Sequence, residues 1–101
     1  MSAVPRAVTT AAVTAQNTGT GWLQPDGPFN VSVGAGTGWV ATVYLQRSFD
    51  GGTTANTVKT YTTAAEEIVP ASPETGVLYR LFVPTGAFTS AVSNIPLRLS
   101  N

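Results

Sequence analysis

Acid–base and nucleophilic chemistry near neutral pH depends on a short list of side chains, and this chain is nearly without them. Its 101 residues contain no His and no Cys. That excludes Ser-His and Cys-His mechanisms, the usual zinc sites and any disulfide. Five acids remain: Asp26, Asp50, Glu66, Glu67 and Glu74. Glu66 and Glu67 are adjacent, but neighbours on a strand point to opposite faces and neighbours on a helix diverge by about 100°. Neither arrangement makes a catalytic dyad. The other three acids sit in separate loops, where a glycosidase pair could arise only by chance of folding. No stretch alternates oxygen ligands as a calcium loop does. The expectation is a non-enzyme with no catalytic residue, cofactor or metal.

The glycine-rich stretch Gly34-Ala-Gly-Thr-Gly38 is followed by strand-forming residues and has no nearby Lys, so it reads as a loop and not a phosphate cradle. Asn30-Val-Ser32 has the form of a glycosylation sequon but falls inside a strand pattern with no secretion signal, and is discounted. Ser48, Asp50, Gly52 and Thr54 resemble the Asp-box turn of sialidase propellers, Ser-x-Asp-x-Gly-x-Thr-Trp, with Ala55 in place of the Trp. The resemblance implies a structural hairpin. The chemistry fits: Asp50 can accept from amides of its own turn while Gly52 takes a positive φ.

Trp22, Trp39, Tyr44 and Tyr61 could form a platform for a sugar or a partner, or could pack in a core. Tyr44 and Tyr61 are the surface candidates, lying opposite the apolar face or on a mostly polar strand. Charged residues make up 10% of the chain and sum to zero. Five scattered Lys and Arg form no basic stripe, so nucleic acid is not the expected partner. A surface so short of charge is poorly solubilised unless part of it is covered in an assembly. No apolar run approaches the ~18 residues of a membrane span, and the N-terminus lacks a signal-peptide layout.

The elements follow from alternation. Trp39 to Phe49 reads as one long strand, with Trp39, Ala41, Val43, Leu45 and Phe49 on one face. Asp50-Gly51-Gly52 turns it. Phe29, Val31 and Val33 point inward from a second strand. Residues 55–63 form a polar strand, and 64–69 form a short strand or one helical turn. Val77 to Val83 is apolar on both faces, hence central. Ile95, Leu97 and Leu99 share the inner face of a last strand, which Pro96 places at an edge. Residues 1–20 form an extended arm and 21–101 a single domain; a frayed first strand over about 7–16 is the other reading. About seven short strands without a helix make an all-β, antiparallel, immunoglobulin-like sandwich, with a small barrel or jelly roll as runner-up.

Taken together, Gln46-Arg-Ser-Phe-Asp-Gly-Gly-Thr-Thr54, the strand Lys59-Thr-Tyr-Thr62, Glu74-Thr-Gly-Val-Leu-Tyr-Arg80, Thr85-Gly86 and Leu97-Arg-Leu-Ser100 resemble a family of small tailed-bacteriophage virion structural proteins. Asp26-Gly-Pro-Phe-Asn-Val-Ser32 resembles them as well, and the likeness spans about 22–100. The chain departs from the family at Ala55 and at Phe82-Val-Pro84. The resemblance implies a capsid decoration (cement) protein on the outer capsid surface, partnered by the major capsid protein and by copies of itself, a trimer favoured. The candidate partner contacts are Arg6, Val8, Val13, Tyr44 and Tyr61. A head fibre, a head–tail connector, a tail component, or a carbohydrate- or host-surface-binding module are the alternatives.

Overall fold

Alternating apolar residues carry most of this chain into strands. The structure, a computed structural model, describes residues 8–25, 27–34, 38–71, 76–91 and 94–101. Arg6, Asp26, Glu74 and the middle of the glycine-rich loop lie outside them. Among the described residues the strands are β1 (Val8–Val13), β2 (Thr18–Gly19), β3 (Phe29–Val33), β4 (Trp39–Ala41), β5 (Val43–Ser48), β6 (Asn56–Tyr61), β7 (Ala65–Val69), β8 (Leu78–Val83), β9 (Phe88–Ala91) and β10 (Ile95–Ser100).

Two four-stranded sheets face each other, ordered β1-β10-β3-β7 and β2-β8-β5-β6, and β4 pairs with β9 in a two-stranded extension. Every pairing is antiparallel. The chain passes from one sheet to the other at almost every connection; in the two large sheets β5 and β6 are the chain neighbours that pair. The all-β antiparallel sandwich is therefore present. Its strand order is the double Greek key of a jelly roll. An immunoglobulin-like sandwich sets chain-neighbouring strands side by side within a sheet, and the first sheet has no such pair.

One core joins the sheets. Phe29, Val31 and Val33 from β3 and Ile95, Leu97 and Leu99 from β10 share one buried cluster with Val43 and Leu45 from β5 and Tyr79, Leu81 and Val83 from β8. The Phe29 and Tyr79 rings cross the interior at 4.7 Å, tilted by 47°. At about 25 cal/mol per Å² of apolar surface, such side chains each contribute roughly 1.5–3 kcal/mol.

Four expectations are corrected. Residues 8–20 are not an arm. β1 pairs along its whole length with β10, Val13 is fully buried, and Thr20 exchanges backbone and side-chain hydrogen bonds with Leu81. The expected strand over 39–49 breaks at Thr42, whose N–H donates to the Ala87 carbonyl at 2.8 Å. This leaves β4 and β5 in different sheets. Phe49 is half exposed, beyond the end of β5, while Ser48, opposite Leu78 on the other face, is buried because the turn folds over its hydroxyl. β10 lies between β1 and β3, not at an edge. Pro96 is tolerated there because its nitrogen faces the β3 side, where Val33 is the last paired residue and Gly34 N–H donates to the Pro96 carbonyl at 2.7 Å. Residues 65–69 form a strand, which settles the choice between a strand and a helical turn there.

Candidate functional site

The outer face of the second sheet gathers three aromatic side chains and an arginine that the core does not use. In β8 Tyr79, Leu81 and Val83 point inward, leaving Leu78, Arg80 and Phe82 half-buried outside. In β5 Val43 and Leu45 point inward and Tyr44 and Gln46 outward. The register sets Tyr44 opposite Phe82 and Gln46 opposite Arg80. Trp22 reaches the same face from the segment after β2. Leu23 anchors that segment by exchanging two 2.8 Å backbone hydrogen bonds with Tyr79.

Arg80 is the centre of this face. Its guanidinium lies 4.1 Å from the Phe82 ring centre and 4.5 Å from that of Trp22, and its Nε donates to Gln46 Oε1 at 2.8 Å. Each cation–π contact is worth roughly 0.5–2 kcal/mol, more as water is excluded. Burial opposes the charge and lowers the Arg80 pKa. The ion pair among the described residues is Lys59–Glu67, so Arg80 has no carboxylate partner there.

Two glycines let the rings lie low. A Cβ on Gly19 would sit 2.8 Å from Phe82 Cδ1, and one on Gly52 2.8 Å from Trp22 Nε1. Gly52 belongs to the turn that closes the β5–β6 hairpin. There the Ser48 hydroxyl donates to Asp50 Oδ1 at 2.7 Å and accepts from Gly52 N–H at 2.9 Å, while Asp50 Oδ1 also accepts from Thr54 N–H at 2.8 Å. The Thr54 amide first, then the Ser48 hydroxyl, hold the Asp50 carboxyl down at about 2. Gly51 and Gly52 both have positive φ. The turn is thus a rigid base for Trp22.

Of the expected contact residues, Tyr44 lies on this face. Val8 is 48% exposed, on the edge strand of the other sheet. Val13 and Tyr61 are buried, at 0% and 5% exposure, and cannot meet a partner without unfolding. Tyr61 turns inward because its register partner is the core residue Val43. The Trp22–Arg80–Phe82 stack was missed because Leu78, Arg80 and Phe82 read as a second buried face. The signal was the arginine in the middle of that face, since a charge there needs an outlet to water or a partner.

The outer face of the first sheet is different in kind. An open concavity of about 520 Å³ there is lined by Asn30, Ser32, Glu66, Ile68, Arg98 and Ser100. Glu66 accepts from the Ser32 hydroxyl at 3.3 Å, and Arg98 stands on the other side of Ser32 in the same row. Apart from the exposed Ile68 these groups are polar and mixed in sign, with no aromatic among them.

Comparison with family models, with curated proteins and with solved structures gives no match for the chain.

Proposed function

We propose that this chain is a non-enzymatic structural protein of a tailed-bacteriophage virion, a capsid decoration protein that binds the outside of the shell and bridges major capsid subunits. The observation that carries the reading is the outer face of the second sheet. It holds Trp, Tyr and Arg half-buried on a low-charge sandwich, the residue types that dominate protein interfaces. The family resemblance over about 22–100 supplies the setting. Jelly rolls recur in capsid proteins, although they also recur in lectins and cupins, so the fold alone does not choose. In this reading the chain binds the intact lattice better than an opened one, and many copies stabilise it by mass action.

The second reading, a carbohydrate-binding module, draws on the same aromatic residues. It is weaker because Arg80 covers a face of both Trp22 and Phe82 that a sugar ring would need.

Quantifying the chain against the major coat protein in purified particles, with a density map of those particles, tests the proposal. A fixed simple ratio to the coat subunit with density on the outer shell is the expected result. Ten or so copies at one vertex or along the tail would replace decoration with a connector, fibre or tail role. Absence from particles would defeat the virion reading.

A further inference from the structure

We propose that Arg80 is a carboxylate-binding point, and that the Trp22–Tyr44–Arg80–Phe82 face docks an acidic segment of a partner protein. This goes beyond the virion reading in naming the chemistry of the partner, and it does not depend on which particle or surface carries that segment.

Arg80 is held on a sheet face by two aromatic rings and Gln46, and no carboxylate among the described residues approaches it. Gln46 occupies Nε. The two ring contacts and the Nε bond restrict the guanidinium, and its Nη groups are the donors those contacts do not use. A planar fork held in this way matches the two oxygens of a carboxylate. Its flexibility is already restricted, so less ordering entropy is lost when an anion binds.

The surroundings also select. The rings of Trp22 and Phe82 exclude water beside the charge, which strengthens an ion pair formed there. They rest against Gly52 and Gly19, so the face is low and accepts a broad surface. Tyr44 adds a half-buried aromatic beside Phe82. The exposed cations Lys59 and Arg98 lack this setting: Lys59 is paired with Glu67, and Arg98 shares its row with Glu66. A phosphate-rich polymer is disfavoured because five scattered cations on a chain of zero net charge neutralise too few phosphates.

The test uses poly-L-glutamate at low salt as the probe, with poly-L-lysine as the opposite-sign control, followed by the Trp22 indole and Arg80 Nε resonances of the full chain. Saturating shifts centred on Trp22, Tyr44, Arg80 and Phe82 are expected, with none from poly-L-lysine. Arg80→Gln should weaken binding at least about tenfold, the loss of roughly 1.4 kcal/mol. Arg98→Gln should change it less than about twofold. Arg80→Lys should bind between wild type and Arg80→Gln, since it keeps charge but loses the fork. Shifts centred on Arg98, Lys59 or Arg47, no shift at all, or unchanged affinity in Arg80→Gln would each overturn the proposal. The wild-type shift map decides by itself if the Arg80 variants do not fold. Absence of the chain from virions would remove the virion reading and leave this result untouched.

Discussion

Lys59 and Glu67 meet across the open edge of the sandwich, with Nζ 2.6 Å from both carboxylate oxygens. Lys59 is on β6 at the edge of the second sheet and Glu67 on β7 at the edge of the first. Each is opposite a core residue, Leu45 and Val31. The pair therefore closes the edge where the two sheets would otherwise gape, with Tyr61 beneath it. Lys59 lies over the Tyr61 ring at 5.5 Å. The Lys59 ammonium, mainly by hydrogen bonding, holds the Glu67 carboxyl below its usual range. The pair is partly exposed, so the energy is small. Lys59→Ala or Glu67→Gln should cost no more than about 1 kcal/mol in chemical denaturation.

The same edge governs Tyr61. Burial first, and then the Glu67 charge, push its phenol well above the ordinary value of about 10. Its hydroxyl is buried and makes no hydrogen bond within ordinary geometry. In Glu67→Gln the ultraviolet titration of Tyr61 should move to lower pH while the fold is retained. An unmoved titration would mean that burial alone sets the shift.

Asp50 makes acid stability depend on the turn. Its folded pKa of about 2 lies below the ordinary 3.8. A depressed carboxyl stabilises the fold above the unfolded pKa, and that stabilisation is lost as pH falls through the folded one. Between about pH 4 and pH 2 the wild type should lose stability more steeply than Asp50→Asn, as measured by denaturant midpoints across that range. Parallel curves would show that the turn's hydrogen bonds do not persist in solution.

Ser48 is the buried member of that turn, at 0% exposure. Ser48→Ala removes a donor to Asp50 and an acceptor for Gly52 N–H. Leaving such groups unpaired costs about 1–3 kcal/mol. The expected readout is a lower thermal midpoint together with altered Trp22 emission, because Trp22 rests on Gly52.

Gly51 and Gly52 separate backbone strain from contact. Gly51 has φ +74° with nothing within 4 Å of an added Cβ, whereas Gly52 has φ +99° and Trp22 Nε1 at 2.8 Å. Gly51→Ala should cost the left-handed penalty alone, about 1–2 kcal/mol. Gly52→Ala should cost more and displace Trp22. Equal losses with unchanged Trp22 fluorescence would show that the ring does not lie on the turn.

Much of this molecule was legible in its amino-acid order, where side-chain alternation needs only the two-residue repeat of a strand. Phe29, Val31 and Val33 face the core as their spacing demands, as do Tyr79, Leu81 and Val83. The Ser48–Thr54 turn was legible because its hydrogen bonds join residues at most four apart. Tertiary structure decided the rest. Strand count left the pairing open, and only the hydrogen-bond partners separate a jelly roll from an immunoglobulin-like order. Pro96 could sit in a central strand because of which neighbour its nitrogen faces. Tyr61 went inward because it is opposite Val43, although its strand is otherwise exposed. Arg80 became a ring-stacked cation with no carboxylate partner among the described residues because Trp22 and Gln46, distant in the chain, arrive on its face. Local patterning determines which residues can be strand, turn or core. Which of two faces is covered, and by what, is set by contacts between distant segments, whose free energy no single segment contains.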